Sequence, residues 1–185
     1  HQRLGPVGDG WKVALTTLMN ERLAIGGGIA TGFPEIKELV DNLTIASGPA
    51  IDDPGVRSKL ADWYAKSAGL KNTGARAISA LSKGEVPGPE NSIGKLVAGT
   101  MMQDIAKYAL DLQGLAGLVT DPEIALSQAK IQAMLMRSPA VRIEGGTDQI
   151  LRNIISERVL GLPEDMRADK GLPFNQIPSA SSKGS

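Results

Sequence analysis

The sequence predicts an all-α fold: an up-down four-helix bundle with an additional short C-terminal helix. Apolar residues recur at three- and four-residue spacing over several long segments, which is the pattern of amphipathic helices. Aromatic residues make up only 3% of the 185 residues, so the predicted core is aliphatic, as in a helical bundle rather than a β-sandwich. The breaks between the segments are short, and long helices joined by short loops pack as antiparallel neighbours.

The first helical segment begins at Trp11, after residues 1–10, whose three glycines and one proline predict a connecting segment. Residues 26–28 are all glycine, and each glycine lowers helix propensity by about 1 kcal/mol. A glycine run inside a helix therefore indicates close packing, and the helical pattern resumes through residues 35–46. The apolar face of the first part comprises Val13, Leu15, Leu18, Leu23 and Ile25.

The second segment follows a loop, where Asp52 or Asp53 can cap a helix and Pro54 suits its first turn. Gly84 marks its predicted end. Its apolar face comprises Val56, Leu60, Trp63 and Leu70, extended by Ile78 and Leu81.

Three more helices complete the predicted bundle, which spans residues 11–161. The third ends in the glycines of residues 114–118, and its apolar face comprises Ile93, Val97, Met101, Ile105 and Leu112. The fourth is expected to run from "TDPE" to about Arg137, and the last over residues 147–160. Residues 162–185 show little periodicity and are expected to form a flexible tail.

Charge, cysteine and histidine content exclude several classes of function. Twenty basic and twenty acidic residues balance, so the chain has no general attraction for nucleic acid or an anionic membrane. It has no cysteine, and its single histidine, His1, is terminal, so a Ser-His-Asp triad cannot be built and no metal site is predicted. No apolar run suits membrane insertion and no signal-peptide pattern is present, so we expect a cytoplasmic protein.

Gly145, Gly146 and Thr147 form a turn directly before the last helix. Free amides at a helix start, with no Cβ nearby, suit a phosphate or a flat ring that approaches the backbone. The alternative is an N-capping threonine after a flexible turn.

Two further groups of residues, the pair Glu21 and Arg22 and the glycines within residues 111–117, can each be explained either by a functional role or by local structure alone. Glu21 and Arg22 are adjacent in the first helix and point about 100° apart. A glutamate that faces a cavity could act as a base, whereas the alternative is two solvated charges. The glycines of "DLQGLAG", residues 111–117, could let a ligand lie against the end of a helix, or could form an ordinary helix C-cap.

Three motifs, in the same order along the chain, resemble segments of the C-terminal helical domain of the flavin-dependent acyl-CoA dehydrogenase family, and the resemblance covers about residues 3–163. "GWKVALTTLMNERLAIG" resembles the first helix of that domain. "GPENSIGKLVAG" followed by "ALDLQGLAG" resembles its third helix and the following turn. "IEGGTDQILRNIISERVLGLP" resembles its closing turn and helix, and is the most specific of the three. Residues 1–10 are then expected to arrive from a β-domain.

The resemblance implies an enzyme that oxidises an acyl-CoA to the trans-2-enoyl-CoA, with FAD as hydride acceptor and a carboxylate as base. Most family members carry the base just before the Gly-Thr of the closing turn, a position that Gly145 occupies here. A minority use a glutamate in the first helix within an "ERL"-like segment, which Glu21 matches. We therefore expect Glu21 to be the base, with Glu144 as a distant second candidate.

The resemblance also implies binding residues and partners. FAD contacts are expected at Asp111, Gly114, Thr147, Asp148 and Gln149. The acyl-CoA pocket is expected at Met19, Asn20, Arg22, Gly145 and Gly146. The implied partners are the acyl-CoA substrate, an electron-transfer flavoprotein or similar acceptor, and identical or different subunits that pack through the bundle.

Two departures favour an alternative function. Of the family's Gln-x-x-Gly-Gly turn, only Gly114 is retained, and "LTIASGPAIDDPG" replaces a segment in which an arginine contacts the flavin diphosphate. The alternative is a non-catalytic helical subunit, or oligomerisation module, of a hetero-oligomeric acyl-CoA dehydrogenase.

Overall fold

The computed structural model describes residues 2–28, 31–85, 88–164, 166–169 and 171–178, and the side chains of residue 19 and of residues 22–28 lie outside the description. The all-α bundle predicted from the sequence is confirmed. The helices of the described part are α1 (Gly10–Gly28), α2 (Phe33–Asn42), α3 (Pro54–Ser82), α4 (Asn91–Gln113), α5 (Lys130–Val141) and α6 (Asp148–Ile154). A π-helical turn, Ile155–Val159, continues α6. Part of the predicted flexible tail, residues 165, 170 and 179–185, lies outside the described residues.

Helix α4 is the centre of the bundle, because α1, α2, α3, α5 and α6 all pack against it. The side chains that it buries are small or flexible, which lets five neighbours approach one helix. Trp63 of α3 is 1% exposed, and its Nε1 donates a hydrogen bond to Asp104 Oδ2 of α4 at 3.1 Å. The core cluster comprises Ile36, Leu39, Val40, Ala50, Val56, Leu60, Trp63, Met101, Met102, Ile105, Ala106, Ala109, Ile131, Met134 and Val141.

The first helical segment is divided into two helices, and α2 ends earlier than expected. Gly32 has φ +81° and precedes α2, and a Cβ there would lie 2.7 Å from Met134 Sδ. The close approach that we observe is therefore at Gly32, a residue that the sequence pattern did not single out. Helix α2 ends at Asn42 because a short antiparallel hairpin follows, formed by β1 (Thr44–Ile45) and β2 (Gly48–Pro49).

The start of α3 agrees with the sequence prediction. Asp53 is the N-cap, and its Oδ1 accepts hydrogen bonds from the amides of Gly55 at 2.9 Å and Val56 at 3.1 Å. The predicted extension of its apolar face was wrong for this chain, because Ile78 is 66% exposed and Leu81 is 43% exposed.

The predicted start of the fourth helix was also wrong. Helix α5 begins at Lys130, because Ser127, Gln128 and Ala129 have φ values of +49°, +55° and +57°. A left-handed conformation costs roughly 1–2 kcal/mol per residue with a side chain, and it cannot continue into a right-handed helix. Among the described helices, none combines the length and apolar character needed to cross a bilayer.

Candidate functional site

The closing turn, residues 142–147, joins α5 to α6, and its backbone explains the pair of glycines. Gly145 has φ +64° and Gly146 has φ +112°, which are conformations that residues with a side chain rarely adopt. Thr147 is the N-cap of α6, and its Oγ1 accepts a hydrogen bond from the Ile150 amide at 3.3 Å. The threonine cap considered from the sequence is therefore confirmed, and the turn needs both glycines for its own geometry.

A buried lysine contacts the closing turn from α4. The Lys95 side chain is fully buried, and its Nζ donates a hydrogen bond to the carbonyl oxygen of Gly146 at 2.6 Å. In this chain, the charged group that approaches the glycine backbone is thus an ammonium. Sequence reasoning missed this contact; the available signal was a lysine within the apolar stretch "SIGKLVAG".

An ion pair joins the two ends of the closing turn. Arg142 Nε donates to Asp148 Oδ2 at 2.6 Å, and Arg142 Nη1 donates to Gln103 Oε1 of α4, also at 2.6 Å. The Asp148 side chain is 4% exposed, whereas that of Arg142 is 38% exposed. The pair therefore fixes the start of α6 relative to both α5 and α4.

A polar pocket of about 240 Å³ opens beside this ion pair. Asp148 Oδ1 is buried and accepts no hydrogen bond from the described residues. A buried carboxylate oxygen without a donor is costly, so the pocket suits a ligand that supplies a hydroxyl or an N–H group. The lining residues are Gln103, Pro139, Arg142, Ile143, Thr147, Asp148 and Gln149. The structure thus brings together three of the predicted cofactor-binding residues.

A larger groove, of about 510 Å³, runs between the first half of α1 and the α6 end of the bundle. Its apolar lining includes Trp11, Leu15 and Leu18 from α1, and Ile150 and Ile154 from α6. Leu151, on another side of α6, is fully buried in the bundle. The apolar residues of the last helix therefore serve two surfaces, one inside the bundle and one in the groove.

Charged and polar side chains also line this groove. They include Asn91, Asn153, Glu157, Arg158 and Arg167. Arg167 Nη2 contacts Asp169 Oδ2 at 2.7 Å, and this hydrogen bond lowers the pKa of Asp169. The groove can therefore accept a molecule with an apolar part and an anionic part.

The predicted residues of α1 follow directly after the groove-lining part of that helix. Glu21 is exposed, and Asn20 is exposed with its Nδ2 donating to the Thr16 carbonyl at 3.0 Å. Position 22, not Glu21, continues the stripe of Trp11, Leu15 and Leu18, so Glu21 lies about 90° to one side of the groove-lining face of α1. The side chains of Met19 and Arg22 lie outside the described residues.

Glu144, the second candidate for the base, is paired with a cation. Arg137 Nη2 donates to its two carboxylate oxygens at 2.6 and 2.7 Å. The pair lies on the surface between α5 and the closing turn, with 50% of the arginine and 36% of the glutamate side chain exposed. This carboxylate is therefore occupied by an arginine of its own chain.

The remaining predicted flavin contacts, Asp111 and Gly114, lie at the end of α4. Both are exposed, and neither lines the pocket beside Asp148. Gly114 has φ +56° and begins a short 3-10 helix, Gly114–Leu118. We call residues 114–119 the second turn.

A neutral side chain holds the second turn. Gln132 Nε2 donates to the carbonyl oxygens of Gly117 at 3.2 Å and of Val119 at 2.9 Å. Gln132 itself belongs to α5 and is buried. The second turn therefore has a packed inner side and an exposed outer side.

The fold defines a helical-bundle domain with an apolar surface groove between α1 and α6. Residues 8–160 match the family model described as "Acyl-CoA dehydrogenase, C-terminal domain", and the chain belongs to this family.

Comparison with known proteins agrees with this family. The chain is 32% identical over 168 residues to acyl-CoA dehydrogenase IpdE1 of Mycolicibacterium smegmatis, a match that covers 89% of this chain and 40% of the relative. The ChsE4-ChsE5 complex from Mycobacterium tuberculosis contains a similar chain, with a TM-score of 0.70, 26% identity, and coverage of 89% of this chain and 43% of that one.

A third comparison shows the fold alone. A glutaryl-CoA dehydrogenase from Mycobacterium smegmatis, solved in complex with FADH2, has a TM-score of 0.70 at 17% identity, with coverage of 87% of this chain and 41% of that one. This chain therefore spans less than half the length of these relatives.

Proposed function

We propose that this chain is the C-terminal part of an FAD-dependent acyl-CoA dehydrogenase, which introduces a double bond between the α and β carbons of an acyl-CoA thioester. The observation that carries the proposal is the apolar groove between α1 and α6, the helix that the closing turn precedes. Its volume and apolar lining suit an acyl chain. Arg158 at the groove suits the anionic part of a CoA ester, whereas Arg167 is already paired with Asp169.

Glu21 is the proposed base. Its carboxylate takes the α-proton of the thioester, while the β-hydrogen leaves as a hydride. When bound, FAD supplies the two-electron acceptor for that hydride. The support for this role is the resemblance of the segment around Glu21 to the family's "ERL" segment, together with its place one turn beyond the groove-lining Leu18. Glu144 is a weaker candidate, because Arg137 already pairs with its carboxylate.

The residues of the closing turn bind and orient the reactants. Gly145 and Gly146 leave space for the thioester beside the backbone, whose N–H groups can donate to the thioester oxygen as negative charge develops on it. Met19, Asn20 and Arg22 extend the acyl-CoA site along α1.

The pocket beside Asp148 fits part of a flavin cofactor. Thr147, Asp148 and Gln149 would hold it, because Asp148 Oδ1 is a buried acceptor that a cofactor hydroxyl or N–H could satisfy. Asp111 and Gly114 would contribute from the second turn. The electrons would then pass to an electron-transfer flavoprotein or a similar acceptor.

A second candidate function is a non-catalytic helical subunit of a hetero-oligomeric acyl-CoA dehydrogenase. Two observations favour it: Glu21 is exposed, and residues 43–55 contain neither arginine nor phenylalanine. That segment forms the β1–β2 hairpin and the Asp53 cap instead. The similarity to a chain of the ChsE4-ChsE5 complex is consistent with two different subunits.

Flavin absorbance and acyl-CoA oxidation in the purified protein distinguish the two functions. If the chain is part of a catalytic dehydrogenase, we expect the purified protein to contain bound flavin. The Glu21→Gln variant should keep the flavin but oxidise acyl-CoA about 10²–10⁴-fold more slowly, the usual contribution of a general base. The matched control is Glu144→Gln, which is expected to stay near the wild-type rate.

Two outcomes would contradict this function. A flavin-loaded protein that is indifferent to Glu21→Gln would eliminate Glu21 as the base. A flavin-free protein that co-purifies with a second acyl-CoA dehydrogenase chain would support the non-catalytic subunit instead.

A further inference from the structure

Lys95 is a buried cation that the proposed reaction does not use directly. Its side chain has no exposed surface, and lysine is almost never fully buried without a polar partner. Removing an ammonium from water costs several kcal/mol, so such a residue is stable only where acceptors are placed for it. Here one acceptor is the carbonyl oxygen of Gly146, which lies 2.6 Å from Nζ and 51 residues away in the sequence.

The side of α4 that carries Lys95 is shaped to receive the closing turn. Lys95, Gly99 and Gln103 follow one another at four-residue intervals and lie along one side of the helix. A Cβ on Gly99 would lie 3.4 Å from Val141 Cγ1 and 3.5 Å from Arg142 Cγ, which is ordinary contact distance, so the end of α5 lies directly against this side of α4.

The closing turn needs an external constraint on its backbone. Gly145 and Gly146 can each adopt many conformations, and both have positive φ here. A carbonyl held by an ammonium fixes the orientation of the Gly146–Thr147 peptide plane. Gln103 and Asp148 hold Arg142 on the other side of the turn, at 2.6 Å each.

We infer that Lys95 is a positioning residue, whose ammonium fixes the peptide of Gly146 and so sets the geometry of the closing turn. Its importance for catalysis rests on the proposed function, because that function places the thioester at the same backbone. The contact itself can be tested without flavin or substrate, so a failure of this inference is distinguishable from a failure of the proposed function.

The test compares charged and neutral side chains at one position, using the full chain. The sequence has no cysteine, so Lys95→Cys introduces a single thiol. Alkylation of the unfolded protein with 2-bromoethylamine, followed by refolding, restores an ammonium of nearly the same reach. Alkylation with 1-iodopropane adds a neutral group of the same length that cannot donate a hydrogen bond. Lys107→Met, an exposed lysine on the same helix, is the matched control for loss of a lysine.

Amide hydrogen exchange measures the result. The amides of Glu144, Ile150 and Leu151 report on the turn, because the first joins the turn to Ala140 of α5 and the other two join Thr147 to α6. We expect them to exchange about tenfold faster or more in the neutral protein, which is the change that a lost hydrogen bond to a charged group produces. The aminoethylated protein should regain slow exchange, and the amides of Val56 and Arg57 in α3 should not change.

Two results would overturn the inference. If the aminoethylated and neutral proteins protect the turn equally, the ammonium is not needed there. If the neutral protein loses protection in α3 as well as in the turn, Lys95 supports the whole bundle rather than the turn. If local protection responds as expected but the flavin-loaded protein does not oxidise acyl-CoA, the inference stands and the proposed function fails.

Discussion

The two turns at which the resemblance places flavin contacts are held in different ways. The closing turn is held by charges: the Lys95 ammonium on the Gly146 carbonyl, and the ion pair between Arg142 and Asp148. The second turn is held by the neutral amide of Gln132, which donates to two carbonyl oxygens. A charge-assisted hydrogen bond is roughly twice as strong as a neutral one.

The two turns also differ in how much of their surface is exposed to solvent. Leu115 and Leu118 of the second turn are 85% and 76% exposed, whereas the closing turn combines the buried Gly145 with one exposed apolar side chain, Ile143 at 65%. The closing turn is therefore specified by the bundle itself. The second turn has an apolar outer side that this chain leaves uncovered. A site formed from both turns would combine one rigid side with one that can adjust.

Among the variants other than those at Lys95, Arg142→Met is expected to lower the free energy of unfolding most. This change leaves the Asp148 carboxylate buried without its cation. We expect a loss of about 2–3 kcal/mol in the free energy of unfolding, which is less than for a fully buried pair because the Arg142 side chain is 38% exposed. Urea titration measures it. The control is Arg137→Met, whose surface pair with Glu144 contributes at most about 1 kcal/mol. Equal losses in the two variants would remove the distinction between buried and surface charges.

An intermediate effect is expected from alanine at the positive-φ glycines. Gly146→Ala should lower the free energy of unfolding by about 2 kcal/mol, because the Lys95 contact prevents the strained backbone from relaxing. Gly114→Ala should lower it by about 1 kcal/mol, since a Cβ there meets nothing within 4 Å and the exposed second turn can shift. Thermal unfolding of the two variants compares them directly. A larger loss at Gly114 would contradict the view that the closing turn is the more rigid one.

An effect as small as that of Gly114→Ala is expected from Gln132→Leu. It removes two neutral hydrogen bonds, but it also removes Oε1, a buried atom without a partner among the described residues. These changes partly cancel, so we expect a loss of about 1 kcal/mol in the free energy of unfolding. Urea titration beside Arg142→Met gives the comparison. A loss greater than that of Arg142→Met would show that the neutral contacts dominate.

Local capping and helical spacing were readable from the sequence, because both depend on neighbouring residues. Asp53 and Thr147 cap helices as their positions predicted, and Val56, Leu60 and Trp63 form the buried face of α3. The resemblance assigned flavin contacts to Thr147, Asp148 and Gln149; these consecutive residues line one pocket, and their role as cofactor contacts stays a prediction.

Features that depend on distant residues were not readable in this way. The burial of Lys95 depends on a carbonyl 51 residues away, and a lysine on an apolar helix otherwise resembles any solvated lysine. The close approach at Gly32 depends on Met134, and the start of α5 depends on a left-handed turn in residues that have side chains. Whether Glu21 acts as a base depends on a bound substrate, so that role stays a prediction.

The left-handed turn before α5 has a consequence for protein engineering. Gln128, with φ +55°, is held in a conformation that asparagine or glycine adopts at lower cost. Replacing Gln128 would relieve local strain away from the proposed site, since Gln128 lines neither the groove nor the pocket beside Asp148. Heat tolerance could therefore be raised at this one position while the reaction geometry is preserved.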